Sequence, residues 1–148
     1  MESDAERFSL LGFEVLLLGS DADAAFSVQE WRAAAGAGGI PVHVHHHTEE
    51  AFYVVDGEIG LVLGDRSEVR GRGSYVVVPP GRAHTFWNPA NQPATYLTVI
   101  SPAGFERYLV ELASGLRHAA TDEDAAALRQ RLGTAYDITV VGPPPRTR

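Results

Sequence analysis

The 148-residue chain contains no cysteine. Disulfide stapling, thiolate metal sites and cysteine nucleophiles are thereby excluded. No apolar run approaches the ~20 residues needed to span a bilayer as a helix. Residues 1–6, Met-Glu-Ser-Asp-Ala-Glu, are acidic where a secretory leader is basic and then apolar. Basic residues are also scarce, with 12 Lys and Arg against 19 Asp and Glu for a net charge of −7. That balance, with no basic stripe to offset it locally, argues against nucleic acid and anionic membrane as partners. The cytoplasm is the expected compartment. What remains is a chain with 45% hydrophobic residues, enough for one globular domain with a real core.

The first hundred residues read as short strands. Segments 13–18, 26–31, 41–47, 51–55, 59–63, 74–78, 84–87 and 95–100 are rich in Val, Leu, Ile, Phe and Tyr. Gly, Pro, Asn and Asp punctuate them every 8–12 residues or so, the spacing of an all-β sandwich or barrel. Asp56-Gly57 signals a hairpin, because glycine tolerates the positive φ of a tight turn. After Ser101-Pro102 the period changes. Phe105, Tyr108, Leu109 and Leu112 recur at helical spacing until Gly115 interrupts them. A second helix is expected over 121–132, with Thr121 or Asp122 as N-cap, an apolar stripe of Ala125, Leu128 and Leu132, and Gly133 closing it. Residues 136–141 suggest a last strand before a proline-rich tail. The chain thus reads as one domain over 1–148: a barrel core over about 10–101, a helical segment over about 102–133, and a terminal strand and tail over 134–148.

Four of the six histidines fall between positions 43 and 47. On a strand, alternate side chains share a face, so His43, His45 and His47 point one way and His46 the other. Histidines two positions apart have Cα atoms about 7 Å apart, close enough to converge on one ion. Past the turn, Glu50, Phe52 and Val54 share a face of the next strand, so Glu50 can join the histidines; Glu49 is the alternative carboxylate. A later Pro-Pro-Gly turn leads to His84, a possible fourth ligand, with Phe86 and Asn88 on its face. Nitrogen and oxygen donors without sulfur suit iron, manganese, nickel or cobalt, with zinc possible. Phe52, Val54, Phe86, Tyr96 and Thr98 are candidate cavity walls, and His47 a candidate rim group. Trp87 has the opposite parity and is expected under a helix. Asn88 is expected to organise a turn, and His118 to be inert.

These residues also carry a resemblance. The cupin family's first motif is G-x5-H-x-H-x(3,4)-E-x6-G, and here His43, His45, Glu50 and Gly57 stand at its spacing. Its leading glycine is Ala37 in this chain. The second motif, G-x5-P-x-G-x2-H-x3-N, is matched by Gly73, Pro79, Gly81, His84 and Asn88. The stretch further resembles bacterial single-domain cupins similar to quercetin 2,3-dioxygenase. The resemblance implies a double-stranded β-helix, or jelly-roll barrel, with short C-terminal helices. It implies one divalent metal per chain on His43, His45, Glu50 and His84, with two positions open, Glu50 doubling as catalytic base, and a homodimer. The activity expected from it is that of a dioxygenase on a small enolizable or aromatic, flavonol-like substrate. A polyketide cyclase or isomerase on the same site, or a non-catalytic small-molecule-binding module, is the alternative.

Overall fold

In the computed structural model, which describes residues 5–19 and 23–146, alternating burial along each strand divides the chain into two facing layers. The chain order begins β1 (Glu6–Leu10), β2 (Phe13–Gly19), β3 (Ser27–Ala33), β4 (Val42–His45), β5 (Glu49–Asp56) and β6 (Glu58–Leu63). It continues with β7 (Arg66–Gly71), β8 (Tyr75–Val78), β9 (His84–Trp87), β10 (Ala94–Ser101), α1 (Glu106–Leu116), α2 (Asp122–Ala135) and β11 (Ile138–Gly142). One sheet has the order β1-β2-β3-β10-β5-β8 and the other β11-β4-β9-β6-β7, all pairs antiparallel. This is the expected jelly roll with two C-terminal helices. The leader expectation falls largely on residues 1–4, and the tail's last two residues are 147 and 148; both stretches lie outside the described residues. No described helix is long and apolar enough to cross a membrane.

Inward positions of both sheets meet in an aromatic cluster. Trp31 and Phe86 pack edge to face at 5.2 Å, Phe13 and Trp31 at 5.3 Å, and Phe52 lies 4.9 Å from Phe86. Such pairs contribute about 0.5–1.5 kcal/mol each beyond their burial. This cluster fills the barrel beneath the histidines.

Several local expectations change. The strands β1 and β7 carry no clear alternation in the sequence and add to those expected from it. Asp56-Gly57 is a turn, with Gly57 at φ 78°, but it carries the chain from one sheet to the other instead of pairing β5 with β6. Gly64-Asp65 closes the actual hairpin, between β6 and β7. Gly115 does not end α1. A Cβ there would lie 2.5 Å from Leu128 Cδ2, so the glycine permits close contact of α1 with α2. Gly133 likewise sits inside α2, where a Cβ would meet the Ile138 carbonyl at 2.5 Å. Of the α2 stripe, Leu128 alone is fully buried. Thr121 caps that helix through a reciprocal box with Asp124, both bonds 3.1 Å. Trp87 is not beneath a helix: it lies over Gly60 of β6, its cross-strand partner, where a Cβ would meet the ring at 2.3 Å.

Candidate metal centre

The strand β4 places His43 and His45 inward, with His46 and His47 exposed beyond its end. His43 pairs directly with His84 across β4 and β9, and β5 brings Glu50 in from the opposite sheet. Glu50 is buried while Glu49 faces solvent, so the alternation of β5 selects between the two carboxylates. One ligand atom from each of His43, His45, Glu50 and His84 falls within 4.8 Å of the other three.

The backbone orients two of these rings. His43 Nδ1 donates to the Pro41 carbonyl at 2.8 Å, and His84 Nδ1 donates to the Arg82 carbonyl at 2.9 Å. Each bond fixes the tautomer and turns Nε2 toward the cluster. Glu50 Oε2 lies 3.0 Å from His84 Nε2 and 3.4 Å from His45 Nε2. His45 Nδ1 is buried without a hydrogen-bond partner among the described residues, and the Phe105 ring packs edge-on against His45 at 4.4 Å.

The electrostatics suit a cation. Burial, reinforced by the neighbouring His84 and His45, lowers the His43 pKa to about 3 and keeps that ring neutral. Burial pushes the Glu50 carboxyl up, but hydrogen bonds from His45 and His84 outweigh it and hold Glu50 well below the usual carboxylate range. Burial opposes a charge on His84, yet the bond to Glu50 raises it above an ordinary histidine. An ionised carboxylate surrounded by three imidazoles, two of them preset through Nδ1, fits a divalent first-row ion. His43, His45, Glu50 and His84 are the residues that could hold it.

A cavity of about 50 Å³ opens on this cluster. Trp31, Ile40, Phe86 and Ile138 form its walls, and Phe105, Tyr108, Leu109 and Leu112 its roof. Of the residues expected to line it, Phe86 does so and the others do not. Register gives the reason. Glu50 pairs with Ile100, Phe52 with Thr98 and Val54 with Tyr96, so Val54 and Tyr96 lie about 13 Å along the barrel from Glu50. There the Tyr96 hydroxyl donates to the Glu58 carbonyl. Thr98 accepts from Trp31 Nε1 at 3.2 Å and donates to Gln29. The His47 side chain is exposed, and its backbone N–H donates to Asp137 at 2.7 Å, tying the β4–β5 turn to β11. Asn88 bonds the carbonyls of Ala34 and Gln92 and organises its turn. His118 is exposed on the loop after α1. Sequence reasoning missed the roof, although its helical spacing was visible.

Residues 29–100 match the family model of the cupin domain. Among solved structures, an RmlC-like cupin from Shewanella frigidimarina aligns with a TM-score of 0.59 and 23% identity over 70% of this chain and 88% of its own. A cupin-superfamily sugar phosphate isomerase from Silicibacter pomeroyi aligns with a TM-score of 0.59 and 26% identity, covering 68% of this chain and 73% of its own. The nucleoside dehydratase Pac13 of Streptomyces aligns at 0.59 with 19% identity over 70% and 81%. No curated protein matches the chain.

Proposed function

We propose that this chain, which carries a cupin domain, is a metal-dependent enzyme that activates a small oxygen-bearing substrate at His43, His45, Glu50 and His84. The observation that carries this reading is the convergence of the four donor atoms within 4.8 Å at the floor of a cavity. A divalent ion held there would act as a Lewis acid on a substrate hydroxyl or carbonyl oxygen. Glu50 is ionised, and its hydrogen bonds run through Oε2. Its Oε1 is therefore the atom that accepts a proton from an enolizable carbon or hydroxyl. Phe105, Tyr108 and Leu109 exclude water from above.

Within that class the first reading is dioxygenase chemistry on a small enolizable substrate. A cavity of about 50 Å³ holds a few waters, whereas drug-sized ligands occupy about 300–1,000 Å³. Volume therefore favours a compact substrate over a flavonol unless the roof moves. Isomerisation is the second reading, supported by the 26% identity to the cupin-superfamily sugar phosphate isomerase. The homodimer belongs to the same proposal. Tyr53, Tyr75, Val77 and Val99 are exposed on the outer face of β10, β5 and β8, an apolar patch of the sort that pairs with a second copy. Light scattering after size exclusion tests it, and a monomer at all concentrations refutes it.

Elemental analysis by plasma mass spectrometry tests the centre itself. About one equivalent of a divalent metal per chain is expected in the wild type. His43→Ala, Glu50→Ala and His84→Ala should each fold and lose most of it. Wild-type content in all three would sink the assignment. Oxygen uptake with enolic substrates then separates dioxygenase from isomerase.

A further inference from the structure

Two cavities meet at Arg129 of α2. The inner one is the space of about 50 Å³ over the candidate metal ligands; the outer one is a groove of about 690 Å³ between α2 and β11. Pro41, Arg129, Ile138 and Val140 form walls of both. Arg129 is the one charged side chain lining the groove, and Glu50 is its one charged companion in the inner cavity. The positions three and four residues away on the helix are Ala125, Ala126, Leu132 and Gly133, so no carboxylate is placed for a helical ion pair. Among the described residues no ion pair reaches it. Arg129 is half-buried and lines the inner cavity together with Tyr108, one of its roof residues.

A half-buried cation that no ion pair reaches is costly, and a guanidinium fork matches a carboxylate or phosphate with two parallel hydrogen bonds. The chain carries a net charge of −7, so its surface in general repels anions and this mouth is a local exception. An anionic group held by Arg129, which lines both spaces, leaves the rest of a small molecule directed toward the candidate ligands. We infer that Arg129, assisted by the Tyr108 hydroxyl, binds the carboxylate or phosphate of a small substrate at the entrance to the metal cavity. This rests on the proposed function for the reaction but not for the binding. Both residues lie beyond position 100, outside the stretch that matches the cupin domain, so the pair is a property of this chain's own C-terminal segment.

Propanoate and inorganic phosphate are the probes, titrated separately into metal-free protein and followed by amide NMR shifts. At least one should bind, with shifts at Arg129, Tyr108 and β11. Arg129→Gln should weaken it tenfold or more, Arg129→Lys less, and Tyr108→Phe a few-fold. Arg131→Gln removes the same charge from an exposed position of the same helix and should change nothing. Binding of propanoate alone marks an organic acid as substrate, and of phosphate alone a phosphate ester. The inference is overturned if neither probe binds, or if Arg129→Gln and Arg131→Gln weaken binding equally. Because the titration uses metal-free protein, its failure is separate from failure of the elemental analysis.

Discussion

Replacing Glu106 should loosen the roof of the cavity. This side chain is 1% exposed at the first turn of α1. Its Oε2 accepts from Ser27 Oγ at 3.0 Å and from the Gly104 N–H at 2.7 Å. Ser27 in turn accepts from Gln29 Nε2 at 2.8 Å, Gln29 accepts from Thr98, and Thr98 accepts from Trp31 Nε1 at 3.2 Å. A single buried chain of polar groups therefore joins the start of the roof helix to a wall of the cavity. Glu106→Ala orphans two donors at about 1–3 kcal/mol each and leaves a void. We expect a loss of about 3–5 kcal/mol, or a fall in Tm of roughly 10 °C or more for a chain of this size. Glu106→Gln keeps the shape and one acceptor and should cost about 1–2 kcal/mol.

Urea unfolding gives these values, and a cycle with Ser27→Ala should return a coupling of about 1–2 kcal/mol. The functional consequence is separate. Phe105, next to Glu106, covers His45, so a loosened roof should release metal to a chelator faster than the wild type under native conditions. If Glu106→Ala lies within about 0.5 kcal/mol of wild type, the network contributes nothing to stability and the reasoning fails. If it is destabilised but metal release is unchanged, α1 does not guard the site.

The acid side of the stability curve should carry the signature of His43. Its folded pKa of about 3 lies below the unfolded value of 6.5, so in metal-free protein its contribution is complete above 6.5 and is lost as pH falls toward 3. Between pH 6 and 5 that is about 1 kcal/mol per unit, measurable by urea unfolding at each pH and reduced in His43→Ala; an unchanged slope refutes it. His84 acts oppositely: its raised pKa makes its contribution complete below 6.5 and lost as pH rises through the folded value. Gly60→Ala places a Cβ 2.3 Å from Trp87. Displacing the ring should cost about 1–3 kcal/mol by urea unfolding, and a neutral result would mean the indole moves freely.

The floor of the candidate site was legible because it is local. Parity on one strand and the turn after it put His43, His45 and Glu50 on one side, and the spacing of the second motif supplied His84. The edge strands β1 and β7 were not legible, since both are largely solvent-facing and burial is what imprints alternation on a sequence. Gly115 and Gly133 misled for a related reason. A glycine signals a helix end in isolation, but here each is demanded by a neighbour, Leu128 or Ile138, that the local sequence does not reveal.

The pocket residues show the sharper limit. Parity turned Phe52 and Val54 inward, position on a late strand pointed to Tyr96 and Thr98, and all four are buried; yet parity determines only a face, and depth along the barrel depends on which residues pair across strands. The register that puts Val54 opposite Tyr96 and Glu50 opposite Ile100 joins segments over forty positions apart. The same holds for the roof: Phe105 and Tyr108 announce a helix by their period, but only the return of the chain across the barrel mouth makes that helix a lid and Arg129 a gatepost. Chemistry written on adjacent strands can thus be inferred from spacing. The roof over the candidate site comes from residues beyond 100, and it exists only once the sheets have closed.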